Sequence, residues 1–101
     1  MALQWHLYIV RCREGTLYTG ISTDVARRFA EHQDNSNKAA KYLRGRGPLE
    51  LVLAKAIGDN KCVALSVERQ IKNLSKLRKE AVLIQNDIID GMVIRAERRC
   101  L

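Results

Sequence analysis

Long apolar runs are missing from this chain of 101 residues. No window approaches the roughly 20 consecutive apolar residues that a membrane-spanning helix needs. The opening residues MALQWHLYIVRCREG lack the basic start, long apolar centre and cleavage site of a secretory signal. No membrane role is expected, and the chain reads as cytoplasmic. Cysteines are few: Cys12, Cys62 and Cys100 are odd in number, far apart and without a CxxC pair. Neither a disulfide framework nor a zinc site is therefore expected. Proline occurs once, at Pro48, and no internal repeat divides the chain. Acidic residues are in deficit, 11 Asp and Glu against 18 Lys and Arg, which gives a net charge of +7 and a pI near 9.7. That balance attracts polyanions and makes nucleic acid the leading partner class. The length supports one core and is too short for two independently stable units.

The residues that are present fall into short, punctuated segments. His6 to Cys12 and Leu17 to Ser22 are rich in β-branched and aromatic residues, with Glu14-Gly15 between them as a turn signal, so a β-hairpin is predicted. Side chains alternate along a strand, and Tyr8 and Tyr18 therefore share a face only if the loop holds an odd number of residues, for example Glu14-Gly15-Thr16. Ser22, Thr23 and Asp24 offer caps for a helix from about Asp24 to Gln33, with Val25, Phe29 and His32 at helical spacing. DNSNKAAKYLRGRGP is polar, basic and rich in turn formers, which predicts a surface loop or short helix.

Glu50 to Ile57 alternates Leu51, Leu53 and Lys55 against Val52, Ala54 and Ala56, which predicts a third strand, mostly buried. Gly58-Asp59-Asn60 caps a helix from about Lys61 to Leu74, whose Ala64, Val67, Ile71 and Leu74 form a core stripe with Glu68 beside it. KLRKEAVLIQN predicts another helix, and the tail from Asp87 to Leu101 is ambiguous between helix and strand. The order β-β-α-β-α-α argues for a small α+β domain with helices packed on a short sheet. Residues 1–86 form the domain and 87–101 its C-terminal extension.

From Trp5 to Ile84 the ordered residues resemble the GIY-YIG nuclease family, in particular its small single-domain bacterial members of the uncharacterised UPF0213 type. The first motif tyrosine corresponds to Tyr8 in His6-Leu7-Tyr8, and the second motif to Tyr18-Thr19-Gly20. Both triplets are loose, since HLY and YTG stand in their places. Arg28 follows ten residues after the second tyrosine and His32 four later, as in the family, and ALSVERQIK places the metal-binding glutamate at Glu68 with Lys72 one turn on. AAKYLRGRGPLELV is similar to the basic loop that enters the third strand in these members. The resemblance implies a three-stranded antiparallel sheet with flanking helices, and a floor at Gly20 that keeps the site open.

Cleavage of a phosphodiester requires an activated water, stabilisation of charge on phosphate oxygens, and help for the leaving oxygen. The resemblance implies that Tyr8 is the general base, that Tyr18 and His32 tune or relay protons, and that Arg28 stabilises the phosphate. Glu68 would hold one Mg²⁺ or Mn²⁺, since a hard divalent ion accepts a single carboxylate completed by waters and phosphate oxygens. An ordinary tyrosine pKa near ~10 leaves too little phenolate at neutral pH, so Arg28, the ion or a hydrogen bond must lower it. Whether Tyr8 or His32 is the immediate base stays open.

Lys38, Lys41, Tyr42, Arg44 and Arg46, with Lys72, are the candidate nucleic-acid contacts: the cations follow phosphates while the ring stacks on an unpaired base. Arg11, Arg13, Lys76, Arg78 and Lys79 are further basic residues that the sequence cannot place on one face. Taken singly, each residue has an ordinary role: the tyrosines as core residues, Arg28 as a solvated helix residue, and Glu68 with Lys72 as a surface ion pair. Two readings follow. One is a metal-dependent DNA endonuclease, active on single-stranded or branched DNA. The other is a nucleic-acid-binding module with little cleavage that acts through a protein partner; RNA is not excluded as the ligand.

Overall fold

The computed structural model describes residues 3–34 and 38–100; positions 35–37 of the predicted polar loop and Leu101 of the tail lie outside them. Three antiparallel strands, β1 (Trp5–Arg11), β2 (Leu17–Ser22) and β3 (Glu50–Gly58), form one sheet in the order β2-β1-β3. Strand β1 is central, and Leu7, Tyr8, Ile9 and Val10 along it are all buried. A strand covered on both faces needs apolar side chains at every position, which explains why this run does not alternate with polar residues.

The two faces have different partners. Leu7 and Ile9 join Leu53 and Ile57 of β3 against helices α2 (Lys61–Lys72) and α4 (Asp87–Arg99). The stripe of α2 lands there as its spacing requires, with Ala64, Val67 and Ile71 fully buried; each large aliphatic side chain contributes roughly 1.5–3 kcal/mol. On the other face Tyr8 and Val10 pack with Cys12, Leu43 and Leu49 under Val25 and Phe29 of α1 (Val25–Gln33). Asp24 caps α1, its Oδ1 accepting from the Arg27 N–H at 3.1 Å. The described part of the basic loop contains a 3-10 turn at Lys41–Leu43, and α3 (Lys76–Ile84) follows α2.

Three expectations change. The ambiguous tail is a helix, α4, so the order extends to β-β-α-β-α-α-α; Ile89, Met92 and Ala96 recur at three- and four-residue steps and are buried against α2. Strand β3 is only half buried, because it is an edge strand whose Ala54 and Ala56 are exposed. Cys62 and Cys100 form a disulfide with Cα atoms 6.2 Å apart. Sequence spacing hid this pair, 38 positions apart: packing of α4 on α2 sets the start of one helix beside the end of the other. Cys12 is a buried free thiol. No helix among the described residues is long and apolar enough to cross a membrane.

Candidate active site

The hairpin sets the two motif tyrosines side by side. Tyr8 pairs with Gly20 and Val10 with Tyr18, so Tyr8 and Tyr18 occupy the same sheet face. The required odd-length loop is present: Cys12 N–H donates to the Thr16 carbonyl at 2.9 Å, leaving Arg13-Glu14-Gly15 as the turn. Gly15 takes φ +93°, a conformation that glycine adopts without the penalty of a Cβ. The rings of Tyr8 and Tyr18 then lie 6.4 Å apart.

Gly20 is fixed by this arrangement. The Tyr8 ring lies across it, and a Cβ added there would sit 2.5 Å from both Cζ and Oη of Tyr8. The glycine is thus the floor on which the phenol rests.

Helix α1 delivers His32 and Arg28, one turn apart, toward the same phenol. His32 is buried, with Nε2 2.9 Å from the Tyr8 hydroxyl. Its other nitrogen, Nδ1, accepts from the Ala40 backbone N–H at 3.3 Å. Burial, helped by the nearby Arg28 charge, pushes the His32 pKa down, so the ring is neutral. A neutral ring whose Nδ1 is an acceptor carries its proton on Nε2, and His32 therefore donates to the Tyr8 oxygen.

Arg28 is partly buried and tied down. Its Nη1 donates to Glu31 Oε1 at 3.0 Å and to the Lys38 carbonyl at 2.6 Å. Burial works to lower its pKa, but the bonds and charges of Glu31 and Tyr8 outweigh that and raise it. Glu31, held below the usual carboxylate range chiefly by its hydrogen bond with Arg28, is a positioning partner that the sequence reading missed; its i,i+3 spacing from Arg28 was the available signal.

Tyr8 itself is pushed up to about 12, first by burial and then by Tyr18, against the lowering pull of Arg28's charge and hydrogen bonding; the Glu68 charge adds to the rise. The requirement that Arg28 and its neighbours bring Tyr8 below its ordinary value is not met by the protein alone. Desolvation of the phenolate exceeds the attraction of one guanidinium.

Glu68, on α2, is partly buried and within electrostatic reach of Tyr8. Lys72 pairs with it at 3.5 Å and sits 5.9 Å over the Tyr18 ring. Among the described residues no cluster of three or more His, Cys, Asp or Glu side chains could hold a metal. A lone carboxylate still suits a hard divalent ion that keeps most of its waters and gains phosphate oxygens, and does not suit zinc or a closed calcium cage.

The basic loop is more mixed. Lys38, Lys41 and Arg44 are exposed. Tyr42 stacks on Tyr18 with centroids 5.9 Å apart and carries the Arg46 guanidinium 4.4 Å over its ring, while Arg46 also pairs with Glu14. Tyr42 is thus committed within the protein, and stacking on a base would require these contacts to open.

Five side chains from the hairpin, α1 and α2 therefore converge: two tyrosines, a histidine, an arginine and the Glu68 carboxylate, which is paired with Lys72. The family described as the GIY-YIG catalytic domain matches residues 4–81, and the chain belongs to this nuclease family. Its similar relatives include UPF0213 proteins. One from Vibrio cholerae is 50% identical over 90 residues, covering 89% of this chain and 87% of that protein. The UPF0213 protein YhbQ of Salmonella typhimurium is 43% identical over 89 residues, covering 88% and 86%. The solution NMR structure of a UPF0213 protein from Bacillus halodurans aligns with a TM-score of 0.53 at 39% identity, over 81% of this chain and 84% of that one.

Proposed function

We propose that this protein is a divalent-metal-dependent endonuclease that hydrolyses phosphodiester bonds in single-stranded or branched DNA. The observation that carries the reading is the convergence of Tyr8, His32, Arg28 and Glu68, from three separate elements, around one phenol oxygen. Tyr8 is the immediate base. Both nitrogens of His32 are engaged, Nδ1 by the Ala40 N–H and Nε2 by Tyr8, so the histidine is not placed to take a proton from water. Its Nε2–H instead steadies the Tyr8 oxygen as negative charge forms there.

Arg28 presents its guanidinium to the phosphate oxygens, with Glu31 and the Lys38 carbonyl fixing its direction. A planar fork neutralises charge on two oxygens at once, which a lysine at the same place would do less well. Tyr18 walls the phenol and orients Lys72 over its own ring. A pKa of about 12 leaves roughly one Tyr8 phenolate in 10⁵ at pH 7. Mg²⁺ or Mn²⁺ on Glu68 would supply the further positive charge that favours the anion and the activated water.

That same raised pKa favours the second reading, a nucleic-acid-binding module that cleaves poorly by itself, since the phenol is inert without an added cation. Cleavage of single-stranded, duplex and branched DNA, with equal-length RNA as competitor, separates the two. Arg28→Ala and Glu68→Gln are each expected to lower the single-turnover rate by about 10²–10³, and EDTA to abolish it. Wild-type cutting that survives both substitutions, or tight binding with no cutting in Mn²⁺, would overturn the nuclease reading.

A further inference from the structure

A cleft of about 170 Å³ lies beside the site, lined by Thr16, Leu17, Tyr42, Lys76 and Lys79. Its position depends on a long-range ion pair. Arg11 at the end of β1 grips Glu80 of α3 with both terminal nitrogens, at 2.9 and 2.8 Å. Lys76 lies four residues before Glu80, on the same helix face, and so is turned toward the hairpin with Lys79 beside it.

The cleft is cationic after its neighbours are counted. Glu80 is held by Arg11, and Glu14 at the rim is bonded by Arg46 and Thr16. Lys76 acts on Glu80 only as a lesser charge, behind Arg11. No salt bridge joins either lysine ammonium to a carboxylate among the described residues. The cleft adjoins the site through its side chains: Tyr42 on its wall stacks on Tyr18, which neighbours Tyr8, and Lys72 lies over the Tyr18 ring. Tyr42 already stacks on Tyr18 and carries the Arg46 guanidinium over its ring, so the cleft is read for its charge and not as a stacking platform.

We infer that Lys76 and Lys79 form a second phosphate subsite, which holds the backbone of a single strand a few nucleotides from the phosphate at Tyr8 and Arg28. The choice of a polynucleotide ligand rests on the nuclease reading; the subsite itself rests on the cleft. A stacked strand advances roughly 3.4 Å per nucleotide, so the two ring-to-ring steps from Tyr8 to Tyr42, of 6.4 and 5.9 Å, limit that separation to a few nucleotides. Lysine suits the task, since a mobile point charge follows phosphates without demanding a particular base.

The test is equilibrium binding of a fluorescein-labelled single-stranded oligodeoxynucleotide, followed by anisotropy in EDTA over a salt series. Each phosphate contact on a single strand adds about 0.7 to the slope of log affinity against log salt. The K76Q/K79Q double variant should therefore lose about 1.4 from that slope. Arg78→Gln removes a charge from the opposite side of α3, where Arg78 lines the cleft with α4, and should leave the slope unchanged. An unaltered slope in the double variant, an equal drop in Arg78→Gln, or no binding by the wild type would overturn the subsite. Inorganic phosphate at matched ionic strength should not displace the strand; displacement would make the cleft a free-anion site and count against it. The expected drop in slope without any cleavage in Mn²⁺ would retain the subsite and remove the nuclease reading, and Arg28-dependent cleavage with an unchanged slope would do the reverse.

Discussion

The two faces of β1 make opposite use of neighbouring residues. Leu7 and Ile9 enter a core of aliphatic side chains and Met92, closed by α2 and α4. Tyr8, between them in sequence, enters a core organised around a hydrogen bond to a neutral histidine. The difference teaches how a domain of this size carries a polar site: the apolar face supplies the stability, and the other tolerates the Tyr8 phenol and the His32 imidazole because they bond to one another and to the Ala40 N–H. Glu68 and Lys72 reach the site from α2, whose buried stripe belongs to the apolar face, so one helix serves both.

Substitutions should separate the faces. The largest effect on stability is expected from Ile71→Ala, which empties part of the apolar core and should cost about 2–5 kcal/mol in urea unfolding, while the cleavage rate of the folded fraction stays unchanged. A comparable fall in that rate would show that the faces are not separable. Gly20→Ala should cost about 1–3 kcal/mol by overpacking and also remove most activity, because the new methyl displaces the Tyr8 ring from His32. The same change at Gly91 in α4, where an added Cβ meets nothing within 4 Å, should stabilise by up to about 1 kcal/mol through helix propensity. Equal signs at the two glycines would contradict the close approach of Tyr8 to Gly20.

The smallest effect is in pH dependence. The His32 pKa is lowered by folding, so its contribution to stability is complete above the ordinary imidazole value near 6.5 and is lost as pH falls through the lowered native value. Tyr8 works in the opposite direction: raised from 10.0 to about 12, it contributes fully below pH 10 and loses that contribution toward pH 12. Urea midpoints measured from pH 7.5 downward should fall before most carboxylates titrate, and His32→Gln should remove that early part. A flat wild-type profile between pH 6.5 and 5 would argue against a buried neutral ring.

Much of this was legible in the sequence where the determinants are local. The Glu14-Gly15 turn, the parity of Tyr8 and Tyr18, the Asp24 cap and the stripe of α2 each depend on residues within a few positions of one another. What was hidden depends on distant contacts. Arg11 and Glu80 are 69 positions apart, and the Cys62–Cys100 pair requires knowing that α4 returns along α2. The exposed face of β3 follows from its place at the sheet edge, which an alternating pattern does not reveal. The tautomer of His32 depends on a backbone N–H at Ala40, and no side-chain pattern encodes that. The rise in the Tyr8 pKa was equally hidden, because residue type predicts the attraction of Arg28 but not the larger cost of burial.

The most direct test is a crystal grown with Mn²⁺ and a short DNA strand, with the ion located by its anomalous scattering. The account predicts one ion bound to Glu68, sharing a phosphate oxygen with Arg28 and within reach of the Tyr8 hydroxyl through a water. An ion held elsewhere, at the Asp87 and Asp90 end of α4 for example, with Glu68 still paired to Lys72, would contradict it.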